Sequence, residues 1–323
     1  MDSGDTLAVE GDRGSHPLAI DQFVCVSEPM RRVFKELKIA LKFNLPGVAV
    51  AGPPRYGKTY CAEYILTNTV DALGEQIPVL MHLCEAPSRQ RSEGSFRSQL
   101  LRSFGHSLPA GSPLKKLERL VTLLIEKASH DPRRRILLIF DEANRLSYVE
   151  FDWLITIHNE LVKDGVRPFY LFIGQTQLAS RREEFSHETA NQIIGRFLSV
   201  TVAFTGLASV KEIQSCARQF DSELFWPKNT KISYSEFYCP GAFRNGWRYE
   251  SHAEMIWSEF IKNRPANETH GIAMQSFVAV TGFLFRKVAR RDNFTGFTAK
   301  DVASAIGSAA YLEKLPSTRA GTD

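Results

Sequence analysis

Residues Gly52-Pro53-Pro54-Arg55-Tyr56-Gly57-Lys58-Thr59 constrain this chain more than any others. They fit the pattern G-x-x-x-x-G-K-[ST] without a mismatch, the signature of a loop that cradles phosphates. The apolar run Val48-Ala49-Val50-Ala51 leads in, and the helix-like stretch Tyr60-Cys61-Ala62-Glu63-Tyr64-Ile65-Leu66 leads out. A phosphate loop needs that frame. Gly52 and Gly57 let the backbone turn tightly and bring its N–H groups close to the phosphates. The following helix adds the positive end of its dipole. Lys58 is expected to reach the β- and γ-phosphates and the Thr59 hydroxyl to hold Mg²⁺. Pro53, Pro54, Arg55, Tyr56 and Tyr60 complete the candidate nucleotide site.

A second motif supports the first. Arg135-Ile136-Leu137-Leu138-Ile139-Phe140-Asp141-Glu142 is a buried-strand signature ending in two acids. Consecutive apolar residues suit a parallel strand covered on both faces. Asp141 falls at the carboxyl end of that strand, where open α/β sheets bind ligands, and there it can support Mg²⁺ directly or through water. Glu142 can orient and deprotonate an attacking water. Taken alone, two carboxylates after a strand could be a solvated turn; the loop upstream favours a nucleotide site.

Strand and helix patterns alternate around these motifs. Helical spacing covers 17–45, where Val33, Leu37, Ala40 and Leu41 share a face and Pro46-Gly47 stops the element. Strands are expected at about 47–51, 78–84, 136–141 and 169–173, and helices at about 58–70, 96–104, 114–128 and 148–162. This order implies an α/β fold, a parallel sheet with helices on both faces. After about residue 205 the pattern turns helical, at 208–220, 252–262, 271–290 and 299–313. The expected organisation is a disordered N-terminus 1–16, an α/β domain 17–205, a small C-terminal helical domain 206–315 and a flexible tail 316–323. Segment 225–249 is rich in aromatics and poor in periodicity, which suggests an insertion or long loop.

The chain has 323 residues, 43% hydrophobic and 24% charged, enough for an ordinary core. No run approaches the ~20 apolar residues of a membrane span. The polar N-terminus lacks the apolar core of a signal peptide. Cys25, Cys61, Cys84, Cys216 and Cys239 form no C-x-x-C pair, as expected of reduced thiols in a cytoplasmic protein. The histidines show no zinc spacing. A net charge of +4 permits nucleic-acid binding without demanding it. Arg133-Arg134-Arg135 reads as a surface loop first and a DNA contact second.

Gln175 and Thr176 follow an apolar strand at the position of a γ-phosphate sensor; a plain polar turn is the alternative. Arg196, in Gly195-Arg196-Phe197, could stabilise phosphoryl charge in a neighbouring subunit or could form a local ion pair.

In this order of parts, the chain resembles an AAA+ ATPase: phosphate loop, acidic strand, polar sensor, arginine finger, helical lid. More narrowly it resembles the transposition ATPases of the TnsC/TniB group, relatives of the Mu transposition protein B. The residues that carry the likeness are Leu83-Cys84-Glu85-Ala86-Pro87-Ser88, Phe96-Arg97-Ser98-Gln99-Leu100-Leu101, Asp141-Glu142-Ala143-Asn144-Arg145-Leu146 and Phe172-Ile173-Gly174-Gln175-Thr176-Gln177. The likeness covers about residues 30–205 well and the lid weakly, and its loop and acidic motifs are specific to P-loop ATPases rather than to transposition.

The resemblance implies an AAA+ P-loop NTPase that uses ATP and Mg²⁺. It implies assembly as rings or helical filaments on double-stranded DNA, without sequence preference, and recruitment of a transposase with its target-selector protein. ATP hydrolysis would end the assembly. Lys58 and Thr59 would bind phosphate and metal, Asp141 and Glu142 would support metal and activate water, Gln175 or Thr176 would sense, and Arg196 would act in trans. Arg286, in Thr281-Gly282-Phe283-Leu284-Phe285-Arg286, would reach the nucleotide in cis. Arg89, Arg91, Lys115 and Lys116 are the candidate DNA contacts, with a solvated basic face as the alternative. The competing function classes are a motor or remodelling ATPase and a signalling NTPase switch, neither acting on DNA. An origin-recognition type initiator would be expected to carry a winged-helix domain after the lid, and only about ten residues follow the last expected helix.

Overall fold

The computed structural model describes residues 13–85, 92–184, 188–227, 229–263 and 270–314. They fall into two compact units, Pro29–Phe204 and a second one built from the segment up to Glu28 together with Thr205 onward.

The first unit is organised by β3, Arg135–Asp141, whose seven residues are all buried. A strand with no polar side must be covered on both faces, which requires a parallel sheet with helices above and below. The sheet has five strands in the order β2-β3-β4-β1-β5, where β1 is Gly47–Ala51, β2 Val79–Leu83, β4 Arg167–Gly174 and β5 Val200–Ala203. All four pairings are parallel, with Ala51 beside Gly174 and Ala203, and Leu83 beside Asp141. Because β4 lies between β1 and β3, its carboxyl end sits between the phosphate loop and the acidic pair. Phe140, Tyr170 and Phe172 stack across the central strands, and Phe151 and Phe197 close on Phe172 at 5.3 and 5.5 Å between ring centroids.

The helices are set by local chemistry. Ser147 caps Tyr148–Lys163: its Oγ accepts from Glu150 N, while Glu150 Oε2 accepts from Ser147 N at 2.7 Å. The expected helix over 58–70 breaks in two, Lys58–Thr67 and Thr69–Leu73, at Asn68. Thr-Asn-Thr is a run of weak helix formers, and Asn68 leaves the helical region there.

Of the charge cluster 133–135, Arg133 and Arg134 lie exposed in the turn before β3, as the sequence suggested, but Arg135 does not. Arg135 is buried and bidentate to two carboxylates, its Nη1 and Nη2 donating to Glu75 at 2.8 and 2.9 Å and its Nε and Nη2 to Asp131 at 2.9 Å. Arg133 remains exposed.

The second unit has its own core, in which Phe220, Tyr249, Phe285 and Phe297 meet. The stretch read as an insertion is part of that core. It forms the helices Tyr234–Tyr238 and Pro240–Arg244 and buries Tyr234, Phe237, Tyr238 and Tyr249. Five-residue helices are too short for a 3.6-residue period to show in sequence. The segment 17–28 also differs from expectation: it was read with the α/β domain, yet it packs in this unit. Leu18 and Cys25 join the helical core, and Gln219 exchanges hydrogen bonds with both backbone groups of Val26. His16, expected in a disordered lead-in, is fully buried against Tyr234 and Tyr238. Residues 1–12 and 315–323 lie outside the described residues. All five cysteines are buried thiols. No described helix is long and apolar enough to cross a membrane.

Candidate nucleotide-binding site

The site grows from the carboxyl ends of β1, β3 and β4. After Ala51 the chain passes so close to β5 that a Cβ on Gly52 would stand 2.1 Å from the Phe204 carbonyl oxygen. Only glycine fits there. Gly57, at φ 97°, turns the chain into helix Lys58–Thr67, whose first N–H groups face the loop. Arg55 also adopts a left-handed conformation, at φ 71°. Tyr56 is buried under the loop, while Pro54 and Tyr60 are exposed and Pro53 half-buried.

Lys58 is 8% exposed, and its Nζ donates to the carbonyls of Gly52 at 2.9 Å and Pro53 at 2.5 Å. It has no salt-bridge partner among the described residues. Burial pushes its pKa below the ordinary lysine value, and the charges of Glu142 and Asp141 oppose that shift. The ammonium thus rests on carbonyl dipoles within the loop, beside the amino end of helix Lys58–Thr67, an arrangement that suits a polyanion.

Asp141 is 2% exposed. Its Oδ2 accepts from Thr59 Oγ1 at 2.8 Å and its Oδ1 from the Glu142 N–H at 2.9 Å. Burial raises its pKa above the usual carboxylate range, against the Thr59 and Glu142 hydrogen bonds. A hydroxyl bonded to a buried carboxylate presents two hard oxygens side by side, a donor set for Mg²⁺.

Glu142 takes φ 55°, ψ 35°, a left-handed turn that ends the strand. Its Oε2 is buried with no hydrogen-bond partner among the described residues, and the Arg145 guanidinium is 3.7 Å away. An orphaned carboxylate oxygen at a strand end is a natural acceptor for a bound water's proton.

Gln175, half-buried, and Thr176, exposed, follow β4. The Gln175 N–H donates to Asn144 Oδ1 at 2.9 Å. Asn144 therefore ties the acidic turn to the sensor position. The sequence reading quoted this residue and gave it no role; an amide two positions after an acidic pair was the available signal.

The structure brings Lys58, Thr59, Asp141, Glu142 and Gln175 to one end of the sheet. It places Arg196 elsewhere. The Arg196 backbone lies against Gly47, at the start of β1, and its Nη1 donates to Asn159 Oδ1 at 2.7 Å. Five strand residues separate Gly47 from the loop, roughly 16 Å. Arg286 is exposed in the helical unit, with its Nε donating to Gly282 O at 3.2 Å. Lys115 is exposed, and Lys116 Nζ donates to Gly94 O at 3.1 Å. Arg89 and Arg91 lie outside the described residues.

Parallel sheet, strand order and loop together define the fold of an AAA+ P-loop NTPase, with a helical C-terminal region. Residues 46–181 match the family described as AAA domain. No curated protein matches the chain. Among solved structures, the Aeropyrum pernix ORC2 protein in its ADPNP-ADP complexes superposes with a TM-score of 0.53 at 16% identity, over 90% of this chain and 70% of that one. The ADP form of the same protein gives 0.53 at 18% identity, over 91% and 71%. A Thermotoga maritima RuvB variant gives 0.42 at 18% identity, over 86% and 68%. At such identities the ORC2 likeness is one of fold.

Proposed function

We propose that this chain is an ATP-dependent, DNA-binding AAA+ regulator of DNA transposition. It would assemble on duplex target DNA and recruit a transposase with its target-selector protein, and ATP hydrolysis would release the assembly. The observation that carries the ATPase part is the convergence of Lys58, Thr59, Asp141, Glu142 and Gln175 on one sheet end. Nucleotide binding is further supported by the ORC2 likeness, since that protein is described in complexes with ADPNP and ADP. The transposition part is supported by the TnsC/TniB resemblance alone.

In this reading the loop N–H groups and Lys58 hold the β- and γ-phosphates. Thr59 and Asp141 hold Mg²⁺, which supplies charge neutralisation on the phosphate oxygens. Glu142 takes a proton from the attacking water, with Asn144 and Gln175 fixing the neighbouring backbone. Arg196 serves the neighbouring subunit's site, because its own is a strand length away. Arg286 approaches the nucleotide from the lid. Arg89, Arg91, Lys115 and Lys116 contact DNA phosphates, and the protein works in the bacterial cytoplasm.

Electron microscopy of the protein with duplex DNA, with and without a non-hydrolysable ATP analogue, tests this. An ordered assembly is expected only with both ligands, and none with Lys58→Ala. A lone particle with both ligands saturating overturns the reading. ATP turnover that duplex DNA leaves unstimulated at low salt would favour a remodelling ATPase or signalling switch.

A further inference from the structure

Helix Glu28–Phe43 buries Met30, Val33, Leu37, Ala40 and Leu41. Its other face carries Arg31, Lys35, Lys38 and Lys42, all exposed. Positions i, i+4, i+7 and i+11 share one side of a helix, so these four cations form a stripe roughly 16 Å long. The stripe lines a groove of about 410 Å³ in which Asp71 is the one acid. Lys38 and Lys42 also line a second groove of about 390 Å³, with Arg133, Arg167 and the Arg135–Glu75 pair. Lys38 and Lys42 line both grooves. Counting Asp131, which pairs with Arg135, the region holds seven cations and three carboxylates.

Most of this charge is uncompensated. Arg31, Lys35, Lys38 and Arg167 make no side-chain hydrogen bond or ion pair among the described residues, and Lys42 only rests 5.7 Å over the Phe43 ring. Glu75 and Asp131 share Arg135, and Arg133 lies 3.9 Å from Glu75, so these four groups sum to no net charge. Arg135 and Arg167 begin β3 and β4, so the patch occupies the amino ends of the strands, away from the phosphate loop.

We propose that this face binds the phosphate backbone of duplex DNA, independently of nucleotide. Four single charges lie in line, with successive members roughly 4.5–6 Å apart along the axis. One strand of duplex DNA carries a charge per about 3.4 Å, so a strand beside the stripe offers roughly five phosphates to four cations. The lysines bind phosphate as point charges, and Arg31 and Arg167 add planar forks that can hold phosphate oxygens in pairs. The face would anchor DNA before assembly, in addition to Arg89, Arg91, Lys115 and Lys116. The inference rests on duplex DNA being a partner, as above, and not on ATP-gated assembly.

Fluorescence anisotropy of a labelled mixed-sequence duplex against the full chain, without nucleotide, tests it. With four phosphate contacts the affinity should fall about 100-fold between 50 and 200 mM salt. Arg31→Gln, Lys35→Gln and Lys38→Gln should each lower the log–log salt slope by about one, and the three combined by about three. The combined variant should keep its DNA-free ATP turnover. An unchanged slope in that variant overturns the proposal, as does poly-glutamate binding with equal strength to the same face. ATP-dependent assembly with an unchanged slope would sink this inference alone. Slope loss in the variants without any assembly would sink the function reading alone.

Discussion

Asp141 and Glu142 are neighbours with different surroundings. Asp141 is buried and both its oxygens are bonded; Glu142 Oε2 has no hydrogen-bond partner among the described residues and faces Arg145 at 3.7 Å. In the proposed function the first supports a cation and the second accepts a proton. Glu142→Gln keeps the size and removes that basicity. ATP turnover should fall about 10²–10⁴-fold with nucleotide affinity retained, the magnitude of a lost general base. Turnover and binding measured side by side check this, and unchanged turnover refutes the role. Both acids were legible in sequence because an apolar run ends in them. Asn144 was not, because its function is a 2.9 Å bond to the Gln175 N–H, and a pairing across 31 positions leaves no local pattern. Arg135 was misread for the same reason: its partner Glu75 is 60 positions away.

At the scale of elements, continuous apolar runs made β1, β3 and β4 readable, since a strand covered on both faces has no alternation to hide. The short aromatic helices of 234–244 were unreadable because neither spans two turns. One junction between elements carries a pH dependence. His82 on β2 is 3% exposed, packs edge-on to Phe140, and shares a 2.8 Å hydrogen bond with Ser103 at the end of helix Glu93–Ser103. Burial lowers its pKa from 6.5 to about 4, with Glu150 opposing. The folded state therefore binds fewer protons than the unfolded chain between those values. The stabilisation is complete above pH 6.5 and is lost as pH falls toward 4, by about 3 kcal/mol for this one group. Urea titrations across that range should show a shallower acid loss in His82→Gln than in the parent. Equal slopes would mean the ring is hydrated in the fold.

At the scale of the whole molecule, the position of Arg196 decides what one chain can do alone. Its backbone lies against Gly47, a strand length from Lys58, and its guanidinium rests on Asn159. No side chain spans roughly 16 Å, so an arginine acting on phosphate from this place must act on another copy. In the proposed function that role needs a head-to-tail interface, the kind that generates rings or filaments. Lys58→Ala and Arg196→Ala should each abolish DNA-stimulated ATP turnover, the first by losing the phosphate cation and the second by losing the trans charge. Mixed in equal amounts before DNA is added, the two inactive proteins should regain activity. At random pairing, about a quarter of head-to-tail interfaces join an intact loop to an intact finger. Turnover against mixing ratio should peak near equality and vanish at both ends. A mixture as inactive as its components would show that Arg196 serves only its own chain, where its bond to Asn159 would make it a structural contact.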